Sequence, residues 1–560
     1  MNFDETAYSA LLERIFALTP SVQAVGFAGG AYKPGLEGMR AFDERLGHPW
    51  KQFRCIHVAG TNGKGSVASM LASALAGGAC SSAKGGPRDA GEPYSAGRRV
   101  ASPSGQRVGL YTSPHLLDFR ERMKVVTDSG WYMPAKEEVW EFFRTYLAAP
   151  APGDTRPDAP GDSWELDTRG LSFFEITTGL AFWWFARQGV DWAVIEAGLG
   201  GRLDSTNIVT PELAVITSIG LDHCALLGST RGAIAREKAG IFKPGVPALV
   251  AEEDFETAPV FREAAARIGA PLYFADSMDV FTPNEPRPVD CAESNPVETG
   301  ILSRMDLRGP CQRENLHTVL AALSFLEILE RTWTEKGRKL CRSLVLEGDL
   351  DRKRAKTVQV PGFGGGPGQK KAEYCAGPKS FETLIAAIER TAELTGLRGR
   401  WERLQQHPEV VCDIAHNPPA LEINFARLRE LQEGIGAEGT GGSGGVKGQA
   451  RPLIIVYGIM ADKDLDGIAP LMPEGASYIL AAPAIPRALP AEELRARLAE
   501  LRPDLALETA PSVAAAVERA LETARNAGRN TAGAGEPFIY IGGSTFVVTE
   551  AIEFFNSRQK

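Results

Sequence analysis

The sequence predicts an α/β fold with mostly parallel sheets divided between two domains. Three observations carry this. Short apolar runs alternate with longer helical patterns, a glycine-rich loop joins one such run to a helix, and the chain can bury more than one core. At 560 residues, with 44% hydrophobic and 23% charged side chains, it has the balance of a globular protein.

The apolar runs that read as buried strands are Cys55–Ala59, Val108–Tyr111, Trp192–Glu196, Leu213–Thr217, Val410–Ile414, Leu453–Tyr457, Tyr478–Ala481 and Phe538–Ile541. Helical periodicity marks Ser66–Ala76, Phe174–Gln188, Gln312–Arg331, Ala491–Leu501 and Val513–Asn526. Strands alternating with helices imply parallel sheets covered on both faces. Residues 78–107, 149–169 and 435–451 are rich in Gly, Pro, Ser or charge and lack apolar periodicity, so they read as surface insertions. The expected division is an ATP-binding domain over 1–335, an inserted segment and linker over 336–395, and a smaller Rossmann-like domain over 396–560.

Several function classes are disfavoured by composition. A net charge of −9 gives no global field for nucleic acid. No run of about 18 apolar residues is present, so no membrane span is expected. The start, MNFDETAYSALLERIF, is an acidic amphipathic helix pattern rather than a secretory signal. Eight scattered cysteines with no C-x-x-C pair argue against a disulfide framework or zinc ribbon, and for a reducing cytoplasm.

The strongest chemical signal is Gly60-Thr61-Asn62-Gly63-Lys64-Gly65-Ser66, between the Cys55–Ala59 strand and an Ala/Leu-rich helix. Glycines let backbone N–H groups turn toward an anion, and a helix start adds partial positive charge. Lys64 can reach the β and γ phosphates of ATP, and the Ser66 hydroxyl can bind Mg²⁺. The spacing departs from the usual phosphate loop, because Val58 stands where its first glycine would be and Gly65 separates Lys64 from Ser66. A second signal is Glu196, a carboxylate ending an apolar strand before a glycine-rich turn, which is costly unless paired or metal-bound. In Ser172-Phe173-Phe174-Glu175, adjacent aromatics can stack on a flat heterocycle and the carboxylate can bond an amino-pyrimidine edge. Core packing explains the rings equally well.

H-V-A-G-T-N-G-K-G-S resembles the ATP loop of the Mur-ligase superfamily. Its extra glycine resembles the folylpolyglutamate synthase/dihydrofolate synthase branch, a resemblance that continues along most of the chain outside the insertions. The resemblance implies a Mur-ligase-like fold with a central ATPase domain. It also implies an amide ligase that joins L-glutamate to dihydropteroate or a reduced folate through an acyl phosphate. Tyr111-Thr112-Ser113-Pro114-His115 resembles the family segment whose serine binds Mg²⁺, which falls on Ser113. Glu196 resembles a Mg²⁺ ligand and His223 a ligand to the second of two metal ions, and Lys238 in E-K-A-G-I resembles the family's carbamylated, metal-binding lysine. Leu203, Asp204 and Ser205 match pterin-side positions, as do Ser172 to Glu175 and, upstream, Pro34, Gly35 and Leu36. Asn315, Arg400, Asp413 and His416 match residues that contact ATP, with Arg400 facing the transferring phosphate, Asp413 the ribose and His416 the phosphates. Leu316 stands where the family has alanine. ATP, two Mg²⁺ ions, a monomer and a cytoplasmic setting complete what the resemblance implies. Two other readings remain open from the residues: a Mur-type ligase of cell-wall nucleotide precursors, and a nucleotide-binding regulator without ligase chemistry.

Overall fold

The computed structural model describes residues 3–20, 33, 35–77, 106–148, 166–278, 296–326, 381–435, 449–530 and 535–558. Most of the three expected insertions, and Pro34, lie outside these.

Two sheets organise the chain. The first has eight strands: β1 (Arg54–Ala59), β2 (Val108–Tyr111), β3 (Met123–Thr127), β4 (Gly130–Tyr132), β5 (Trp192–Glu196), β6 (Leu213–Ile216), β7 (Ala248–Val250) and β8 (Leu272–Phe274). Their order is β4-β3-β2-β5-β1-β6-β7-β8, parallel except for the antiparallel edge made by β3 and β4. The second holds β9 (Glu402–Gln405), β10 (Glu409–Cys412), β11 (Leu453–Tyr457), β12 (Ser477–Leu480), β13 (Ala506–Thr509) and β14 (Phe538–Gly542). Its order is β13-β12-β11-β14-β10-β9, with only β9 antiparallel.

Helices cover both faces of each sheet, which is why the central strands are apolar at nearly every position. On one face of the first sheet the Lys64–Ala76 helix packs with Gln312–Phe325 and with Phe381–Glu389. Its alanines and serines are buried all round, and their small side chains let neighbouring helices approach closely. On the other face lie Glu5–Leu18, Glu37–Leu46, Lys136–Tyr146 and the aromatic-rich Phe173–Gln188 helix. In the second sheet, Pro418–Gln432 and Ala491–Leu501 cover one face, and Val513–Asn530 and Thr545–Arg558 the other.

The expected strands all form, each within two residues of the expected bounds. Part of the expected linker is packed structure. Residues 381–389 and 391–395 are helical, and Leu384, Ile388 and Leu394 sit in the core against the Lys64–Ala76 helix. The glycine- and lysine-rich passage before them masks this short apolar pattern in the sequence.

What this topology does for function follows from where strands end. β1 lies between β5 and β6, so the loop after β1, the carboxylate ending β5 and the turn after β6 gather at one edge. Carboxyl ends of parallel strands are where α/β sheets bind ligands. In the second sheet the turns after β10, β11, β12 and β14 open toward that same edge.

Candidate active site between the two sheets

The phosphate loop folds as its glycines require. Gly63 has φ +85°, and a Cβ there would lie 2.2 Å from the Asn315 Oδ1. A Cβ on Gly60 would lie 1.8 Å from the Thr217 hydroxyl oxygen, so both positions exclude a side chain. Lys64 curls back over its own loop, donating to Gly60 O at 3.1 Å and Thr61 O at 3.0 Å. Lys238 also donates to Gly60 O, from a site only 4% exposed. Burial, and after it the charge of Lys64, push the Lys238 amine well below the ordinary lysine range.

Glu196 is buried and accepts from the Ser113 backbone N–H at 3.0 Å. Burial raises its carboxyl, opposed by Lys64, the Ser113 N–H, Arg400 and Arg122. Arg400 reaches the loop from the other sheet's side. A Cβ on Gly65 would stand 3.2 Å from an Arg400 terminal nitrogen and 3.7 Å from the Glu196 Oε2, which places cation, carboxylate and loop together.

Between the sheets runs a hydrogen-bonded junction. Asn62 and Asn417 exchange side-chain hydrogen bonds at 3.2 and 3.0 Å. Asp222 accepts from the Asn417 Nδ2 at 3.0 Å and from the Lys463 Nζ at 3.1 Å, and its Oδ2 lies 3.6 Å from the His416 Nε2. Burial alone would raise the Asp222 carboxyl. The nearby imidazoles of His416 and His223 and the charge of Lys463 outweigh it and hold the group well below the carboxylate range.

One cavity opens beside this junction. Gly60, Thr61, Lys64, Ser113, Ser172, Phe173, Phe174, Leu203, Asp204, Ser205, His223, Lys238 and His416 line it, all of them expected site residues. So do Lys33, Arg122, Asp222, Lys463 and Arg487, which sequence reasoning did not assign. Lys33 and Asp222 adjoin expected positions in the sequence, but only folding shows that the five side chains meet. Arg122 is buried, lies 5.2 Å from the Phe173 ring centroid and donates to the His115 Nδ1 at 2.9 Å.

Other expected residues lie elsewhere. Glu175 does not line the cavity. It accepts from the Ser172 N–H and hydroxyl, both at 2.8 Å, closing a capping box on the Phe173–Gln188 helix. In the structure the Glu175 Oε2 serves that helix start. Phe173 is likewise buried, and Phe174, whose ring fills the space beside Gly198, is the more open of the pair. Gly35 and Leu36 lead into the Glu37–Leu46 helix away from the cavity. Asp413 accepts from Trp401 N, Ala415 N and the Asn424 side chain at 2.8 to 2.9 Å. Its charge and that of Arg400 both reach Cys311, at the start of the helix bearing Asn315, whose thiol burial pushes up to about 12. Arg400, Asp413 and Asn315 thus gather on the far side of the loop from the cavity.

The comparisons with known proteins follow this geometry. A family model described as Mur ligase, glutamate ligase domain, matches residues 399–530. Over 400 residues the chain is 36% identical to the dihydrofolate synthase/folylpolyglutamate synthase of Bacillus subtilis (strain 168), covering 70% of this chain and 71% of the relative. The chain belongs to the dihydrofolate synthase/folylpolyglutamate synthase family. It is thereby a ligase forming carbon–nitrogen bonds. The Escherichia coli (strain K12) member is 28% identical over 77% of this chain and 74% of its own. Among solved structures, E. coli FolC in complex with DHPP and ADP superposes with a TM-score of 0.61 at 24% identity, over 99% of this chain and 98% of that one. Mycobacterium tuberculosis folylpolyglutamate synthase complexed with ADP gives 0.63 at 23%, over 99% of both chains. These two likenesses are of fold.

His57 offers a pH test of the wall beside the loop. The Thr206 hydroxyl gives its one hydrogen to the Asp204 carboxylate, so it accepts from the His57 Nε2, 2.8 Å away. Burial, with Lys243 adding to it, lowers His57 from 6.5 to about 3. Between those values the unfolded chain holds a proton that the folded one lacks, so stability falls on acidification through that window. The contribution is up to ~1.4 kcal/mol per pH unit. His57→Gln keeps an N–H donor without the titration, and its stability between about pH 6 and pH 4 should fall less steeply than that of the parent. Equal slopes in chemical denaturation would contradict the assignment.

Proposed function

We propose that the cavity binds a pteroate or folate carboxylate beside the phosphate loop, and that the chain adds L-glutamate to dihydropteroate, to the γ-carboxylate of reduced folates, or to both. The observation that carries this is the convergence on one cavity of Lys64 and Lys238 from the first sheet with His416 and Lys463 from the second, flanked by the Phe174 ring. The names of the curated relatives support the same reading.

A carboxylate is a poor electrophile for an amine. Transfer of the ATP γ-phosphoryl group to the substrate carboxylate gives an acyl phosphate and ADP; the glutamate amine then attacks the acyl carbon and expels phosphate. Little covalent work falls to the protein, which positions the reactants and neutralises charge. In this reading Lys64 and Arg400 face the phosphoryl oxygens, Asn315 and Asp413 the nucleoside, and His416 the phosphates. Arg400 suits its role because a guanidinium contacts phosphate in bidentate fashion. Leu203, Ser205, Phe174 and Arg122 form the substrate wall.

The donor set suits Mg²⁺. Glu196, Ser113 and Ser66 offer hard oxygens near the loop, and among the described residues no group of three or more His, Cys, Asp or Glu stands ready without a nucleotide. Bound there, the ion would neutralise phosphate charge. A second ion beside His223 fits only if Lys238 becomes a carbamate, since an ammonium repels it. The lowered Lys238 pKa favours the neutral amine, whose lone pair attacks the carbon of CO₂ while a proton leaves to water. Four described cysteines are free, and no helix among the described residues is long and apolar enough to cross a membrane. The free thiols support a reducing, cytoplasmic setting.

Product analysis tests the function. With ATP, Mg²⁺ and L-glutamate, at least one of dihydropteroate and tetrahydrofolate should gain a glutamyl residue by mass spectrometry. No gain on either overturns the reading.

The carbamate has its own test. Lys238→Arg keeps the charge but cannot be carbamylated, so kcat should fall by more than about 100-fold. A melting temperature near that of the parent would show the fold intact, and full activity would remove Lys238 from the metal set.

A further inference from the structure

β3 carries a lysine in an unusual setting. Lys124 is 5% exposed, and its hydrogen-bond acceptors are backbone carbonyls rather than carboxylates. Its Nζ donates to two backbone carbonyls, Thr395 O at 2.9 Å and Gly396 O at 3.2 Å, and lies 4.7 Å from the Trp131 ring centroid. Burying an ammonium against carbonyls and a ring costs free energy that an apolar side chain would not. Burial accordingly lowers the Lys124 pKa to about 8, with Glu121 opposing.

Where those carbonyls stand gives the setting its meaning. They close the Thr391–Thr395 helix, whose other end is capped by the Asp306 carboxylate, accepting from Ala392 N at 2.9 Å and Glu393 N at 2.8 Å. Gly396 follows with φ +62°, and a Cβ there would lie 2.3 Å from the Trp131 ring. The chain therefore leaves the first sheet's helical layer pressed between Lys124 and Trp131. Four residues on stands Arg400. From the second sheet's side, Glu402 accepts from Gly399 N at 2.7 Å and pairs with Arg398 at 2.6 Å, while Asp413 accepts from Trp401 N at 2.8 Å.

We propose that Lys124 is a positioning residue for the ligase reaction, the cation on β3 that clamps the chain at Gly396 so that the Arg400 guanidinium lies over the phosphate loop beside Glu196. The proposal rests on the reading that Arg400 neutralises the transferring phosphoryl group. The backbone of the 396–402 segment is held to the second sheet through Glu402 and Asp413, and the Lys124–Trp131 clamp fixes its start, at Gly396, against β3 and β4. Small displacements matter here, since a misplacement of about 1 Å in a reacting site can cost on the order of 100-fold in rate.

A double-mutant cycle separates positioning from plain support of the fold. Lys124→Met keeps the length of the side chain and removes its donors. Steady-state kinetics with the full chain should show kcat reduced by about 10-fold or more, with KM for ATP and for the folate substrate within about 3-fold of the parent. In an Arg400→Ala background, Lys124→Met should change kcat by less than about 2-fold, because the group it positions is gone. Trp131→Leu opens the clamp from its other side and should give the same cycle, which keeps the test available if Lys124→Met does not fold. If Arg400→Ala collapses kcat and Lys124→Met lowers it by the same factor in both backgrounds, the positioning role is overturned while the reading of Arg400 stands. If Arg400→Ala leaves kcat unchanged, both fall.

Discussion

Asp222 accepts from Lys463 and Asn417, and both belong to the sheet it is not part of. Its other neighbours are His223, on its own turn, and His416 across the junction. The whole site depends on this carboxylate remaining charged and in place. Lys463 and Asp222 are each little exposed, so removing Asp222 leaves the lysine as a buried charge without its carboxylate, typically roughly 3–5 kcal/mol in a buried pair. Asn62 ties the same junction directly to the phosphate loop through its reciprocal pair with Asn417. Nucleotide and folate ends of the reaction are therefore held in register by the contact that joins the sheets.

Charge at the loop shows what the site is built to receive. Lys64, Lys238 and Arg400 stand around Gly60 to Gly65, with the Glu196 carboxylate beside Gly65. Such an arrangement is unfavourable until an anion enters, and a polyphosphate supplies the missing charge. Burial is the main cause of the depressed Lys238 amine, and the charge of Lys64 adds to it. Lys64 spends its donors on loop carbonyls, which a phosphate oxygen can replace at little cost, since the lysine only exchanges acceptors.

Much of this was legible in the sequence, for identifiable reasons. β1, its loop and the following helix follow from a continuous apolar run, glycines and an Ala/Leu pattern, all local signals. The longer buried parallel strands elsewhere announced themselves in the same way, whereas the three-residue β7 and β8 and the half-exposed β13 did not. The β3–β4 edge did not, because Lys124 interrupts an otherwise apolar strand and finds its partners some 270 residues downstream. The helix-start role of Glu175 was legible too, since Ser172 followed three residues later by Glu is a capping-box signature, although the adjacent rings drew the reading toward ligand binding. Asp222 stands beside the expected His223, yet nothing local says that it faces Lys463 or that Arg122 reaches the cavity. Long-range pairing is the part that only the fold supplies.

The central claim is that the two sheets form one site in which ATP activates a carboxylate before an amine attacks it. Isotope transfer tests this directly. Substrate labelled with ¹⁸O in the accepting carboxylate should pass one labelled oxygen to inorganic phosphate for each glutamate added, because that oxygen bridges carbon and phosphorus in the acyl phosphate. Mass analysis of the released phosphate reads it. Phosphate carrying no label, from reactions that nonetheless yield the glutamylated product and ADP, would contradict the account.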